Sequence, residues 1–195
     1  MEKVLKPWTP VKVSTDEKGV AVNVWGRSYK GGKKSFLESV ISQNIELMAS
    51  PIRLSGTENG EEIIWGSFNT FVMDSSDEVK AQIVTSAQSK VFVLNVNMDI
   101  EYDGVIDMSI AVMPQGRSVN AWFGLDNRKE PEYKLEQLWL EIPFKPEIAK
   151  LYHIFPNSDL IINGKNCVFD KIRQAGDLPE TLEMPFKEQV FVGND

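Results

Sequence analysis

Residues Lys90 to Pro114, KVFVLNVNMDIEYDGVIDMSIAVMP, decide the fold. Leu94, Val96, Met98, Ile100 and Tyr102 alternate with Asn95, Asn97, Asp99, Glu101 and Asp103 without an error. A period of two is the signature of a strand with one buried and one wet face. After Asp103-Gly104 the apolar set resumes at Ile106, Met108, Ile110 and Val112, still on even numbers. A two-residue loop at Asp103-Gly104 would set Ile100 opposite Asp107 and bury the polar set of the second strand. A three-residue loop, Asp103 to Val105, instead pairs Tyr102 with Ile106, Ile100 with Met108 and Met98 with Ile110. The expectation is an antiparallel hairpin with a glycine at its corner. One long kinked strand bulged at Gly104 is the competing reading. Either way, a sheet with one apolar face lies at the centre.

The flanking sequence repeats the theme. Val11 to Trp25 reads as two short strands around Thr15-Asp-Glu-Lys-Gly19, with Val20, Val22 and Val24 alternating in the second. Lys30-Gly-Gly-Lys-Lys34 reads as a flexible cationic turn and Phe36 to Ser42 as a strand. Segments 45–56 and 61–74 flank Glu58-Asn59-Gly60, and Asn-Gly is a strong hairpin signal. Residues 78–89 alternate weakly, which suits a strand near a sheet edge. Val119 to Leu125 and Leu135 to Phe144 read as further strands, and Asn163-Gly164 marks another hairpin. Lys145 to Lys150, with Pro146 near its first position, is the one helix candidate. Strands at short, regular spacing with almost no helix predict an all-β chain, an antiparallel β-sandwich with at most one or two short helices.

Composition narrows the functions. The 195 residues fit a single domain spanning 1–195, large enough to bury a real core. A formal net charge of −7 argues against nucleic acid or an anionic membrane as partner, since both call for a basic surface. No apolar run is long enough for a membrane span. Cys167 stands alone, so neither an internal disulfide nor a thiolate zinc site is expected. MEKVLKPWTP lacks the apolar core of a secretory signal. Strand-like sequence close to both ends leads us to expect a piece excised from a longer multidomain protein.

Few constellations carry chemistry. Asp99, Glu101 and Asp103 are oxygen ligands spaced two apart that could hold Ca²⁺, but a solvated sheet face explains them without a metal, and the Asp-x-Asp-x-Asp-Gly loop pattern is missing. His153 lies in the apolar run Leu151 to Phe155 and has no nucleophile elbow to serve, so it reads as structural. With 28 acidic residues, a carboxylate pair for glycoside hydrolysis can be drawn anywhere, and only separation in space would identify one. Trp25, Trp65, Trp122 and Trp139 fall in strand-like segments, and most are expected in the core. Trp122 shares the phase of Asn120 and Gly124, so it is the candidate for an exposed ring that stacks on a sugar. Tyr29 and Arg27 are its companion candidates.

Six motifs occur in order: Pro7-Trp-Thr-Pro-Val11, Val24-Trp-Gly-Arg-Ser-Tyr29, Ala49-Ser-Pro-Ile-Arg-Leu54, Tyr102-Asp-Gly104, Leu138-Trp-Leu-Glu-Ile-Pro143 and Phe191-Val-Gly-Asn-Asp195. Together they resemble the N-terminal β-sandwich region of bacterial proteins similar to glycoside hydrolase family 123. The resemblance implies a sandwich of the galactose-mutarotase, or supersandwich, type ahead of a (β/α)8 barrel. It also implies a parent protein that cleaves N-acetylgalactosaminides in the periplasm or outside the cell. The catalytic pair of that family lies in the barrel, so no catalytic residue carries over to this sequence. The expected function is therefore a non-catalytic domain packing on its own downstream catalytic domain and contacting glycan, without cofactor or metal. A freestanding carbohydrate-binding module is the first alternative. A mutarotase-like sugar-active enzyme comes second, because His153 is the only imidazole available to it.

Overall fold

The computed structural model describes residues 4–115, 135–155, 174–183 and 189–193. Among them every regular element is a strand, and all pairings are antiparallel. The strands are β1 (Lys12–Asp16), β2 (Gly19–Val24), β3 (Arg27–Gly32), β4 (Ser39–Ser42), β5 (Ile45–Glu46), β6 (Arg53–Glu58), β7 (Glu61–Glu62) and β8 (Asn69–Val72). They continue with β9 (Lys80–Gln88), β10 (Phe92–Glu101), β11 (Ile106–Pro114), β12 (Leu135–Glu141), β13 (Leu151–Phe155), β14 (Gln174–Asp177) and β15 (Gln189–Gly193). The chain divides into two compact units, Met1–Pro143 and Phe144–Asp195.

The first unit holds three sheets, ordered β1-β2-β3-β4-β5, β11-β10-β9-β8 and β12-β6-β7. The central hairpin forms as an antiparallel pair, with Ile100 opposite Ile106, Met98 opposite Met108 and Val96 opposite Ile110. Even numbers face even numbers, as the pattern requires, but the register differs by two residues from the expected one. The reason is where the glycine sits. The loop has the expected three residues, but they are Tyr102 to Gly104, closed by Glu101 N–H donating to Val105 O at 2.9 Å and Gly104 N–H to Glu101 O at 2.9 Å. Gly104 takes φ +90°, the left-handed third position of such a loop, which a side chain resists. Moving the loop back one residue moves every pairing by two.

Leu94, Val96, Met98 and Ile100 are fully buried, each worth roughly 1.5–3 kcal/mol of apolar burial. Their counterparts on β9 are Ala81, Ile83, Thr85 and Ala87. That strand lies near the sheet edge, as its weak alternation suggests, between β10 and the edge strand β8. Small residues let it pack closely, and the buried Thr85 hydroxyl meets that of Thr70 at 3.1 Å. On the β1–β5 sheet, Val20, Val22 and Val24 are buried, and Tyr29 pairs with Val22. Phe36 and Phe68 add a ring contact at 6.2 Å between centroids. This is the antiparallel sandwich core the alternation predicted.

Two further expectations change in detail. Lys30-Gly-Gly is not a turn but the end of β3, where Gly31 lies so close to the Phe36 carbonyl that a Cβ would not fit. Only Ser39–Ser42 of the stretch expected from Phe36 is a strand. Before it, Ser35 is buried and donates its hydroxyl to Ile52 O at 2.5 Å, pinning an irregular connection in the core. The Asn59-Gly60 hairpin is as read, with Glu58 opposite Glu61 and both loop residues at positive φ.

In the second unit β13 lies between β14 and β15. The helix candidate at Lys145 is a single turn, in which Ile148 and Ala149 N–H both donate to Lys145 O, at 2.9 and 3.0 Å. Val119 to Leu125, Cys167 and the Asn163-Gly164 pair lie outside the described residues.

Candidate functional site

Three hairpin turns of the first unit meet at one end. Trp25-Gly26 joins β2 to β3, with Val24 opposite Arg27. Gln43-Asn44 joins β4 to β5, with φ of +48° and +66°, the mirror-image turn that two-residue hairpins favour. Tyr102 to Gly104 is the third. Gln43 N–H donates to Gly26 O at 2.7 Å, so the first two tips are stitched together. Arg27 Nη1 donates to Asp103 O at 2.9 Å and the Tyr29 hydroxyl to Gly104 O at 2.8 Å, which fastens the third. Trp8 packs edge-on against Tyr102, with centroids 5.9 Å apart.

Between these turns lies an open depression of about 220 Å³, lined by Trp8, Trp25, Arg27, Ser42, Gln43 and Asp103. Trp25 is 54% exposed. Arg27 is exposed and commits Nη1 to a neutral carbonyl, and among the described residues no carboxylate stands within ion-pair distance of it. The Asp103 carboxylate accepts Val105 N–H at 3.0 Å through Oδ1. Burial pushes the Tyr29 hydroxyl pKa up, with the Arg27 guanidinium pulling the other way. Tyr29 therefore stays a neutral donor, holding the loop in place.

The residues singled out from sequence fall in different places. Arg27 lines the depression. Tyr29 lies directly behind it and is 4% exposed, so its ring is not offered to a ligand. Trp122 lies outside the described residues. The three calcium candidates point to separate tasks. Asp99 accepts from Lys80 Nζ at 2.7 Å and Gln82 Nε2 at 3.1 Å, and the Lys80 hydrogen bond, foremost, holds its carboxyl below the usual range. Glu101 starts the hairpin turn and Asp103 sits within it. Among the described residues no three His, Cys, Asp or Glu side chains gather as a metal site would require. His153 occupies β13, opposite Ala175 and Phe191.

Trp25 is the residue that sequence reading missed. The alternation places it at the end of a strand, yet it stands at the tip of a turn. The signal was present: Val20, Val22 and Val24 put odd numbers on the wet face, and Gly26 follows at once.

The fold is that of an all-β, antiparallel sandwich domain, with a mixed aromatic and polar depression on its turns. The model for the family described as glycoside hydrolase 123, third domain, matches residues 15–153, and the chain belongs to that family. The matched span takes in all of the depression except Trp8. No curated protein matches the chain.

Proposed function

We propose that this chain is a non-catalytic accessory domain of a glycoside hydrolase, one that packs on the (β/α)8 catalytic domain of the same protein and contacts the glycan being processed. The observation that carries the reading is the match to a third domain of family 123 over residues 15–153. Family, all-β architecture and an aromatic depression lined by hydrogen-bonding groups support it together. Ile64 and Phe71, at 78% and 60% exposed, supply apolar surface of the kind a partner domain covers. The parent protein acts in the periplasm or outside the cell, where complex glycans are met. The test is hydrolysis. The purified 195-residue chain should release no chromophore from p-nitrophenyl N-acetyl-β-galactosaminide. Turnover above that of a heat-denatured sample would place chemistry in this domain and overturn the reading.

A further inference from the structure

We infer that the depression between the Trp25, Gln43 and Asp103 turns is a saccharide subsite that takes one uncharged pyranose ring. This rests on the glycan-contacting reading above and narrows it to one place and one class of ligand. A pyranose offers an apolar C–H face and a rim of hydroxyls, each of which both donates and accepts. The depression answers both features. Trp25 gives an indole face on a hairpin tip, more than half open to water, where a C–H face can stack. Arg27 supplies donors only, the Asp103 carboxylate acceptors only, and Ser42 and Gln43 supply both kinds.

Charge selects among sugars. Arg27 and Asp103 carry opposite charges in one small depression, so their fields offset each other there. A charged sugar gains at one of these two groups and loses at the other, so the pair gives it no net advantage, whereas the hydroxyls of a neutral ring can use both, accepting from Arg27 and donating to Asp103. The walls are also set before any ligand arrives. The Gln43 backbone is held to Gly26, the Arg27 side chain to the Asp103 carbonyl, and the Asp103 carboxylate to Val105 N–H, leaving lone pairs to spare. The ordering cost of binding then falls mainly on the Trp25, Ser42 and Gln43 side chains.

The experiment titrates the intact chain by calorimetry and tryptophan fluorescence. The probes are methyl β-galactopyranoside, methyl N-acetyl-β-galactosaminide, methyl β-glucopyranoside, galacturonic acid and glucosamine. At least one neutral methyl glycoside should bind more tightly than either charged sugar. Trp25→Ala should weaken that binding by about tenfold or more. Trp139→Ala, which removes another exposed indole, should leave it unchanged. Asp103→Asn should shift preference toward galacturonic acid, and it serves as the second variant if Trp25→Ala fails to fold. Binding lost in Trp139→Ala but kept in Trp25→Ala would overturn this subsite and leave glycan contact standing. Tighter binding of galacturonic acid or glucosamine by the unaltered chain would overturn the ligand class. Binding of no probe would remove both the subsite and glycan contact, while the accessory-domain reading would still be decided separately by hydrolysis.

Discussion

Replacing Gly104 with Ala tests whether the central hairpin and the depression are one mechanical unit. Gly104 has φ +90°, where an L-residue pays about 1–2 kcal/mol. A Cβ added there overlaps Arg27 Nη1 and comes within 2.9 Å of the Tyr29 hydroxyl oxygen. Arg27 can swing away, but only by giving up its bond to the Asp103 carbonyl. The Tyr29 hydroxyl must retreat from the Gly104 carbonyl. Each such bond is worth roughly 0.5–1.5 kcal/mol net. Gly60 makes the internal control: it has φ +81° and nothing within 4 Å of the added Cβ. Gly60→Ala should therefore cost about 1–2 kcal/mol, the backbone strain alone. Gly104→Ala should cost at least about 1 kcal/mol more, the two displaced bonds making the difference. Urea unfolding followed by tryptophan fluorescence measures both, and an unchanged slope confirms that the same transition is compared. Equal losses in the two variants would refute the coupling of hairpin, Arg27 and Tyr29.

Leu94→Ala, at a fully buried position of β10, should lower unfolding free energy by about 2–5 kcal/mol in the same assay. Arg53→Ala removes an exposed pair with Glu141, 2.7 Å apart, and should cost no more than about 1 kcal/mol, shrinking further in high salt. Acid should destabilise the fold in a defined window. Asp77 has its pKa lowered foremost by accepting the Lys80 backbone N–H, then that of Val79, and Asp99 foremost by its Lys80 hydrogen bond. Carboxyls depressed in the folded state contribute stability above their unfolded value, about 3.9 for Asp, and lose it as pH falls through the folded value. Lys80→Met should therefore flatten the acid limb of the stability profile, and an unchanged limb would remove Asp99 from the explanation.

Alternation revealed the core strands because a sheet with one wet face writes its geometry into every second residue. Leu94 to Ile100 and Val20 to Val24 were legible for that reason. Register was harder, since sliding the loop by one residue keeps even opposite even. Only Gly104's demand for positive φ, not the hydrophobic pattern, distinguishes the two pairings. The place of β9 beside the edge strand β8 agrees with its weak alternation, but its depth of burial was not legible, because Ala and Thr look weakly apolar in sequence and yet are buried between neighbours on both sides. Phe36 and Leu37, expected as the start of a strand, are instead buried in an irregular segment held by the Ser35 hydroxyl rather than by a ladder. Arg27, named from sequence as a polar companion to a stacking aromatic, lines the depression. Trp25 was not singled out, since sandwich tryptophans are more often inside. Its neighbours Gln43 and Asp103 carry no motif and become partners only through tertiary folding.

The depression draws its lining from positions as far apart in the chain as Trp25 and Asp103, joined by contacts such as Arg27 to Asp103 and Gln43 to Gly26. It therefore has no linear epitope. A synthetic peptide copied from any one of the three turns should not reproduce the recess. Each turn is also a separate wall on a common frame, so altering one turn should change one side of the recess and leave the other two in place.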